Sequence, residues 1–258
     1  MNALVEILQH GDIREIRMAR APVNALDTSL CNALVTALAT AVDEGAEGIV
    51  LSGREKLFSA GMDVPHLLSL GDDRQAVVDT WTAFFALARA LASSPVPVVA
   101  ALTGHSPAGG CVLALCCDHR VMARSEDPRK PYVIGLNETQ VGLVAPEGIQ
   151  RLLRRALGPG RAEQLLVTGE LVSAERALEI GLVDELADTG EVVARSVEWL
   201  QRLLALPRAA VLQTRAIARA DVTEALDDRN IGMQGFVEGW YAPDTQAALQ
   251  AMVARLRR

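Results

Sequence analysis

Ala101-Leu-Thr-Gly-His-Ser-Pro-Ala-Gly-Gly-Cys111 runs from an apolar strand through a Gly/Pro-rich turn into a helix. The strand closes the run Val96 to Leu102, whose continuous apolar character suits a parallel sheet covered on both faces. The helix follows the glycines, from Cys111 to Cys117. Such a junction leaves backbone N–H groups without helical partners at the positive end of the helix dipole. Upstream, Leu51-Ser-Gly-Arg-Glu-Lys-Leu-Phe-Ser-Ala-Gly-Met-Asp63 also ends a buried strand, Ile49 to Leu51, in a polar loop that turns at Gly61. Between the two lies a helix from about Gln75 to Leu91. It carries Trp81, Phe84, Phe85 and Leu87 on its apolar side and stops at Ser93-Ser94-Pro95.

Further out, Val5 to Leu8 and Ile13 to Met18 flank a Gly11-Asp12 turn, as a hairpin would. Asp27 reads as an N-cap before Leu30, Leu34, Leu38, Ala41 and Val42 at helical spacing, and Gly45 to Gly48 breaks that helix. Strand–helix–strand with this connection implies parallel pairing and a right-handed crossover. Downstream, Arg120 to Ala123 and Tyr132 to Ile134 are strand-like. From Pro146 the pattern turns helical, with starts near Pro146, Gly160, Ser173, Gly190, Pro207 and Asp244 and one strand at Leu182 to Leu186. No fixed-period repeat and no low-complexity linker occur. The expected organisation is an α/β core over residues 1–190 and an all-helical region over 191–258, of the kind that packs on a neighbouring subunit.

Half of the 258 residues are hydrophobic but only 3% are aromatic, so the core is expected to consist of Ala, Leu and Val. The net charge of −7 includes no basic block, and Lys56 and Lys130 are the only lysines, so a nucleic-acid partner is not expected. Cys31, Cys111, Cys116 and Cys117 form no Cys-x-x-Cys pair and read as small buried hydrophobes in a reducing compartment. The N-terminus has no basic start and carries Glu6 in its apolar run, which speaks against a signal peptide. No run approaches the roughly 18 apolar residues of a membrane span. A cytoplasmic protein without a membrane partner is expected.

Two N–H groups converging from such turns would suit the oxyanion of an enolate, although a Gly-Gly before a helix also serves plain close packing. The third notable segment is Tyr132-Val-Ile-Gly-Leu-Asn-Glu-Thr-Gln-Val-Gly142. Glu138 there lies between apolar runs, either as a solvated loop residue or as a desolvated carboxyl. In the second case its pKa rises toward neutrality, as a general base near pH 7 requires. Glu147, in Pro146-Glu147-Gly148, reads as an ordinary first-turn acid. His66 and His105 read as loop residues, and Ser106 before Pro107 fits no nucleophile-elbow pattern.

These segments carry a resemblance over nearly the whole chain. Arg20-Ala-Pro-Val-Asn-Ala-Leu-Asp27, Phe58-Ser-Ala-Gly-Met-Asp63, Pro107-Ala-Gly-Gly-Cys111, Gly135 to Gly142 and Ser173 to Asp184 resemble the crotonase (enoyl-CoA hydratase/isomerase) superfamily. Ser106 to Cys111 and Ile134 to Gly142 look most like its mitochondrial Δ3,Δ2-enoyl-CoA isomerases. The resemblance implies a spiral of ββα units with a helical C-terminal region, assembled as a trimer or dimer of trimers. It implies an acyl-CoA thioester as substrate, with no metal or other cofactor. Residue by residue, it implies Glu138 as acid/base and Met62 and Gly109 as oxyanion-hole donors. Asn24, Ala25, Leu26, Ser59, Ala60, Gly61 and Asp63 would hold the CoA moiety, and Asn137 the acyl or thioester part. Hydratases of the superfamily carry a second glutamate shortly after the Gly-Gly-Cys turn, where this chain has Val112. Isomerisation needs only one mobile proton, so the sequence favours an isomerase of unsaturated fatty acyl thioesters.

Overall fold

The computed structural model describes residues 3–256. Strands β1 (Val5–His10) and β2 (Ile13–Met18) form the antiparallel hairpin expected around Gly11-Asp12. Helix α1 (Thr28–Asp43) follows, and the Asp27 carboxylate accepts the Leu30 N–H at 2.8 Å. That bond satisfies one of the orphan donors of the first turn.

The chain then winds in a repeating unit, giving one strand to a large sheet, one to a small sheet, and then a helix. The first such turn is β3 (Gly48–Ser52), β4 (Lys56–Leu57) and the helices α2 (Val64–Ser69) and α3 (Arg74–Ala92). The second is β5 (Val98–Leu102), β6 (Gly104–Pro107) and α4 (Gly109–Leu115). The third is β7 (His119–Ala123), β8 (Val133–Gly135), a 3-10 turn (Glu138–Val141), α5 (Glu147–Leu157) and α6 (Pro159–Thr168). Then β9 (Val172–Ser173), α7 (Ala174–Ile180) and β10 (Glu185–Ala187) return the chain to the large sheet. The large sheet has the order β1-β2-β3-β5-β7-β10 and is parallel beyond the first hairpin. The small one has the order β4-β6-β8-β9. This is the expected spiral of ββα units.

β3 and β5 are buried at every residue, which is why both read as unbroken apolar runs. α8 (Val192–Leu204) packs on β3, β5 and β7. A Cβ on Gly48 would stand 3.1 Å from Leu200 Cδ2, so the glycine lets this helix approach the sheet closely. α9 (Arg208–Ala218), α10 (Ala220–Ala225), α11 (Asp228–Ile231), α12 (Met233–Trp240) and α13 (Pro243–Leu256) complete the chain. α12 packs on α3, and α13 on α2 and the 3-10 turn, so these helices return to their own core.

Some elements differ from expectation. The Gly104 to Gly110 stretch, read as one turn, first forms β6, and α4 opens at Gly109 rather than Cys111. The strand at Leu182 to Leu186 is displaced to β10, because Leu182 and Val183 donate back to Ala177 O and close α7. The small sheet went largely unread, since its strands have two to four residues and polar or Gly-containing sequences such as Gly104-His-Ser-Pro107. Among the described residues no helix is long and apolar enough to cross a membrane.

Candidate active site

Three successive turns of the spiral end their small-sheet strand at the same place. After β4 comes Met62, after β6 Gly109, and after β8 Glu138. All three line one cavity of about 580 Å³.

Met62 is placed by a bridge to Leu26, in which Leu26 N–H donates to Gly61 O (2.8 Å) and Asp63 N–H to Leu26 O (2.9 Å). This alternation turns the Met62 N–H the other way, and it meets no acceptor among the described residues. The turn is held from below. Asn24, itself at φ +46°, donates through Nδ2 to Met18 O and Phe58 O. Ser59 Oγ donates to Asn24 O and accepts the Gly61 N–H. Asn24, Leu26 and Ser59 are fully buried and do not line the cavity, nor does Gly61. Their geometry is that of a scaffold, whereas Ala25, Ala60 and Asp63 face the cavity. Asp63 caps α2 by accepting the His66 N–H and bonds Arg20 at 2.7 Å. Arg20 also reaches Asp27 (3.0 Å) and Ala25 O, tying the loop before α1 to the turn after β4.

Gly109 opens α4 behind Ala108, whose φ of +47° is strained for a residue with a Cβ. Ala108 N–H donates to Gly135 O at 2.8 Å, and the Gly109 N–H meets no acceptor among the described residues. The two turns touch: a Cβ on Gly61 would stand 3.3 Å from Gly109 N. The residues that carry the two free amides, Met62 and Gly109, thus belong to touching turns on one cavity lining.

Glu138 begins the 3-10 turn, which Gly142 closes at φ +73° as Leu143 N–H donates to Glu138 O. Neighbours pin the turn from two sides. Thr245 Oγ1 of α13 donates to Gly142 O (2.7 Å), and Gln140 Nε2 donates to Gly169 O (2.8 Å). Glu138 Oε2 is buried without a hydrogen-bond partner among the described residues. Burial against apolar walls raises the carboxyl from 4.5 to about 7. The other charged residues lining the cavity, Arg20 and Asp63, are paired with one another, and Arg20 with Asp27 as well. Glu138 is thus the one unpaired ionisable side chain on its lining among the described residues. Asn137 also lines the cavity, and so does Val112, 2% exposed, at the position the resemblance assigns to a hydratase glutamate.

The rival residues lie elsewhere. Glu147 is exposed and bonded to Arg151 at 2.8 Å, which holds its carboxyl below the usual range. His105 accepts the Val133 N–H through Nδ1, and His66 is exposed; neither lines the cavity. The thiol of Cys111 is fully buried and pushed far up by desolvation. No group of three metal-ligating side chains occurs among the described residues. A second, more polar cavity of about 610 Å³ adjoins the first through Arg20 and Ala21 and carries Arg17, Arg54, Glu6 and Glu55, with Arg17 paired to Glu15 and Glu6. Sequence reasoning did not reach Arg20 as the lock of the first turn, or Thr245 as the pin of the third. Neither has a local pattern to announce it, since each acts on backbone far away in the chain.

A spiral of this kind, with a lone carboxyl and two free amides on one cavity lining, defines a class of protein. The family model for enoyl-CoA hydratase/isomerase matches residues 9–251, and the chain belongs to that family. It is 32% identical to human mitochondrial enoyl-CoA delta isomerase 1, over 98% of this chain and 83% of that protein. It is also 33% identical to a probable enoyl-CoA hydratase of Mycobacterium tuberculosis, over 81% of this chain and 77% of that protein. The crystal structure of human mitochondrial Δ3,Δ2-enoyl-CoA isomerase superposes with a TM-score of 0.89 at 30% identity, covering 99% of this chain and 98% of that one.

Proposed function

We propose that the protein is a Δ3,Δ2-enoyl-CoA isomerase that moves the double bond of a 3-enoyl-CoA to the conjugated 2-trans position. The observation that carries this reading is the solitary, raised-pKa carboxyl of Glu138 facing the cavity, with Val112 where a second acid would be needed. The thioester oxygen accepts from the Met62 and Gly109 N–H groups. Glu138, ionised, takes a proton from C2, and the C–H electron pair moves into a dienolate whose oxygen charge the two amides stabilise. The protonated Glu138 then returns the proton to C4, leaving the C2=C3 double bond and restoring the carboxylate. Removing one such amide donor typically costs about 100- to 1,000-fold in rate. The CoA thioester is the substrate, and a one-base proton transfer of this kind draws on no metal or redox cofactor. In the neighbouring polar cavity Arg54, which has no ion-pair partner among the described residues, suits a CoA phosphate. Assembly as a trimer or dimer of trimers, with residues 191–258 contributing, belongs to the same reading, and sedimentation velocity tests it.

Hydration is the second reading, favoured by the likeness to the probable mycobacterial hydratase. It requires a water held and activated between two groups, and an apolar side chain at Val112 offers it nothing. The test follows conjugated-thioester absorbance. A rise on adding 3-enoyl-CoA supports the isomerase. A fall on adding 2-enoyl-CoA, with no response to 3-enoyl-CoA, assigns hydration. Binding with neither response identifies a non-catalytic acyl-CoA-binding protein.

A further inference from the structure

The chain has three Trp and four Phe, and five of these seven line the one cavity: Trp81, Phe84, Phe85, Phe236 and Trp240. They come from α3 and α12, far apart in sequence, and meet edge to face. The Trp81–Phe236 centroids are 4.7 Å apart at 89°, and Trp81–Trp240 are 6.2 Å apart at 68°. Phe85 and Trp240 are each only 1% exposed, so the back of this wall is set in the core. The wall begins beside the amide pair, since Phe84 Cε2 lies 3.3 Å from where a Cβ on Gly109 would stand. By contrast, the Arg20–Asp63 pair lies where this cavity adjoins the polar one, in which Arg54 has no ion-pair partner among the described residues. A ligand with an anionic end and an apolar end therefore has one sensible orientation, its apolar tail against the rings.

We propose that the Trp81–Phe236–Trp240 wall is the chain-length stop of the acyl pocket, selecting short and medium straight-chain acyl thioesters and rejecting long ones. The inference rests on reading the cavity as an acyl-thioester site. A tail that outruns the pocket must displace interlocked rings or lift α12 from α3. In a hydrophobic pocket a single methylene of misfit changes discrimination by roughly 10- to 200-fold.

The experiment is calorimetric titration of the full-length protein with butanoyl-, hexanoyl-, decanoyl- and hexadecanoyl-CoA, saturated thioesters that neither isomerise nor hydrate. Affinity is expected to rise with length, pass a maximum, and fall by about tenfold or more at hexadecanoyl-CoA. Phe236 is only partly buried, so Phe236→Ala and the milder Phe236→Leu are the variants of choice, with folding checked by circular dichroism and thermal melting. In a folded variant the hexadecanoyl-to-hexanoyl affinity ratio should rise by about tenfold. Affinity that climbs steadily through hexadecanoyl-CoA in the unaltered protein overturns the stop, as does an unchanged ratio in both folded variants. Absence of binding by every thioester overturns the acyl-thioester reading itself, and the stop with it.

Discussion

Glu138 combines two properties that a surface carboxylate does not have: Oε2 without a partner and a pKa near 7. Because a base must be ionised to take a proton, kcat/KM for 3-enoyl-CoA should rise with pH and level off above about 7. Glu138→Gln should lose roughly 100- to 10,000-fold of that activity while staying folded. Glu147→Gln serves as the control and should retain it, since Glu147 is exposed and paired with Arg151 outside the cavity. The same burial acts on stability. A carboxyl raised from 4.5 to about 7 in the folded state favours that state below pH 4.5, and the contribution is lost as pH rises through 7. The wild type should therefore lose stability relative to Glu138→Gln across that window, by about 3 kcal/mol at most. Denaturant titrations of both proteins at several pH values measure it.

At the scale of elements, the site depends on how closely two turns approach. Gly61, at φ +86°, leads into Met62, and a Cβ there would press on Ala108 Cβ (3.2 Å) and Gly109 N (3.3 Å). Gly61→Ala should force the two amides apart and reduce kcat by about 100-fold, the effect of losing one donor. The cost in stability should be smaller, a few kcal/mol for strained backbone. Steady-state kinetics beside a thermal melt separate the two effects. Of the strands that aim these turns, β4 and β6 are too short and too polar for periodicity to reveal, and only β8 is announced, by the apolar Tyr132 to Ile134. They exist because the adjoining β3, β5 and β7 are anchored in the buried sheet. Asp27, by contrast, was legible as a cap, since its partner Leu30 N–H lies three residues away.

Over the whole molecule, the C-terminal helices are tied to the core partly by charge. Arg215 of α9 makes a two-pronged pair with Asp118 at 2.7 and 2.8 Å and donates to Ser94 O, and α9 itself has no buried residue. Asp118 also accepts the Val98 N–H, linking the start of β5 to the residue before β7. Removing Arg215 leaves Asp118 with only the longer ion pair to Arg219 at 3.3 Å. Arg215→Met is accordingly expected to destabilise by up to about 3 kcal/mol. Arg208, paired with Glu47 on the surface, should cost no more than about 1 kcal/mol when changed to Met. Chemical denaturation of the two variants compares them directly.

The sequence by itself determined the parts whose cause is local. The buried parallel strands were written in unbroken apolar runs, the first helix cap in Asp27, and the glycine turns in Gly61 and Gly109-Gly110. The motifs at Met62, Gly109 and Glu138 were visible for the same reason. Their meeting in one cavity was decided only by the tertiary structure. The spiral repeats in space without any repeat in sequence, since a ββα turn constrains burial and handedness rather than residue identity. Likewise α3 was readable as an apolar helix, and α12 only as part of an all-helical region. That their rings close one pocket together depends on a contact across about 150 residues, which no local pattern encodes.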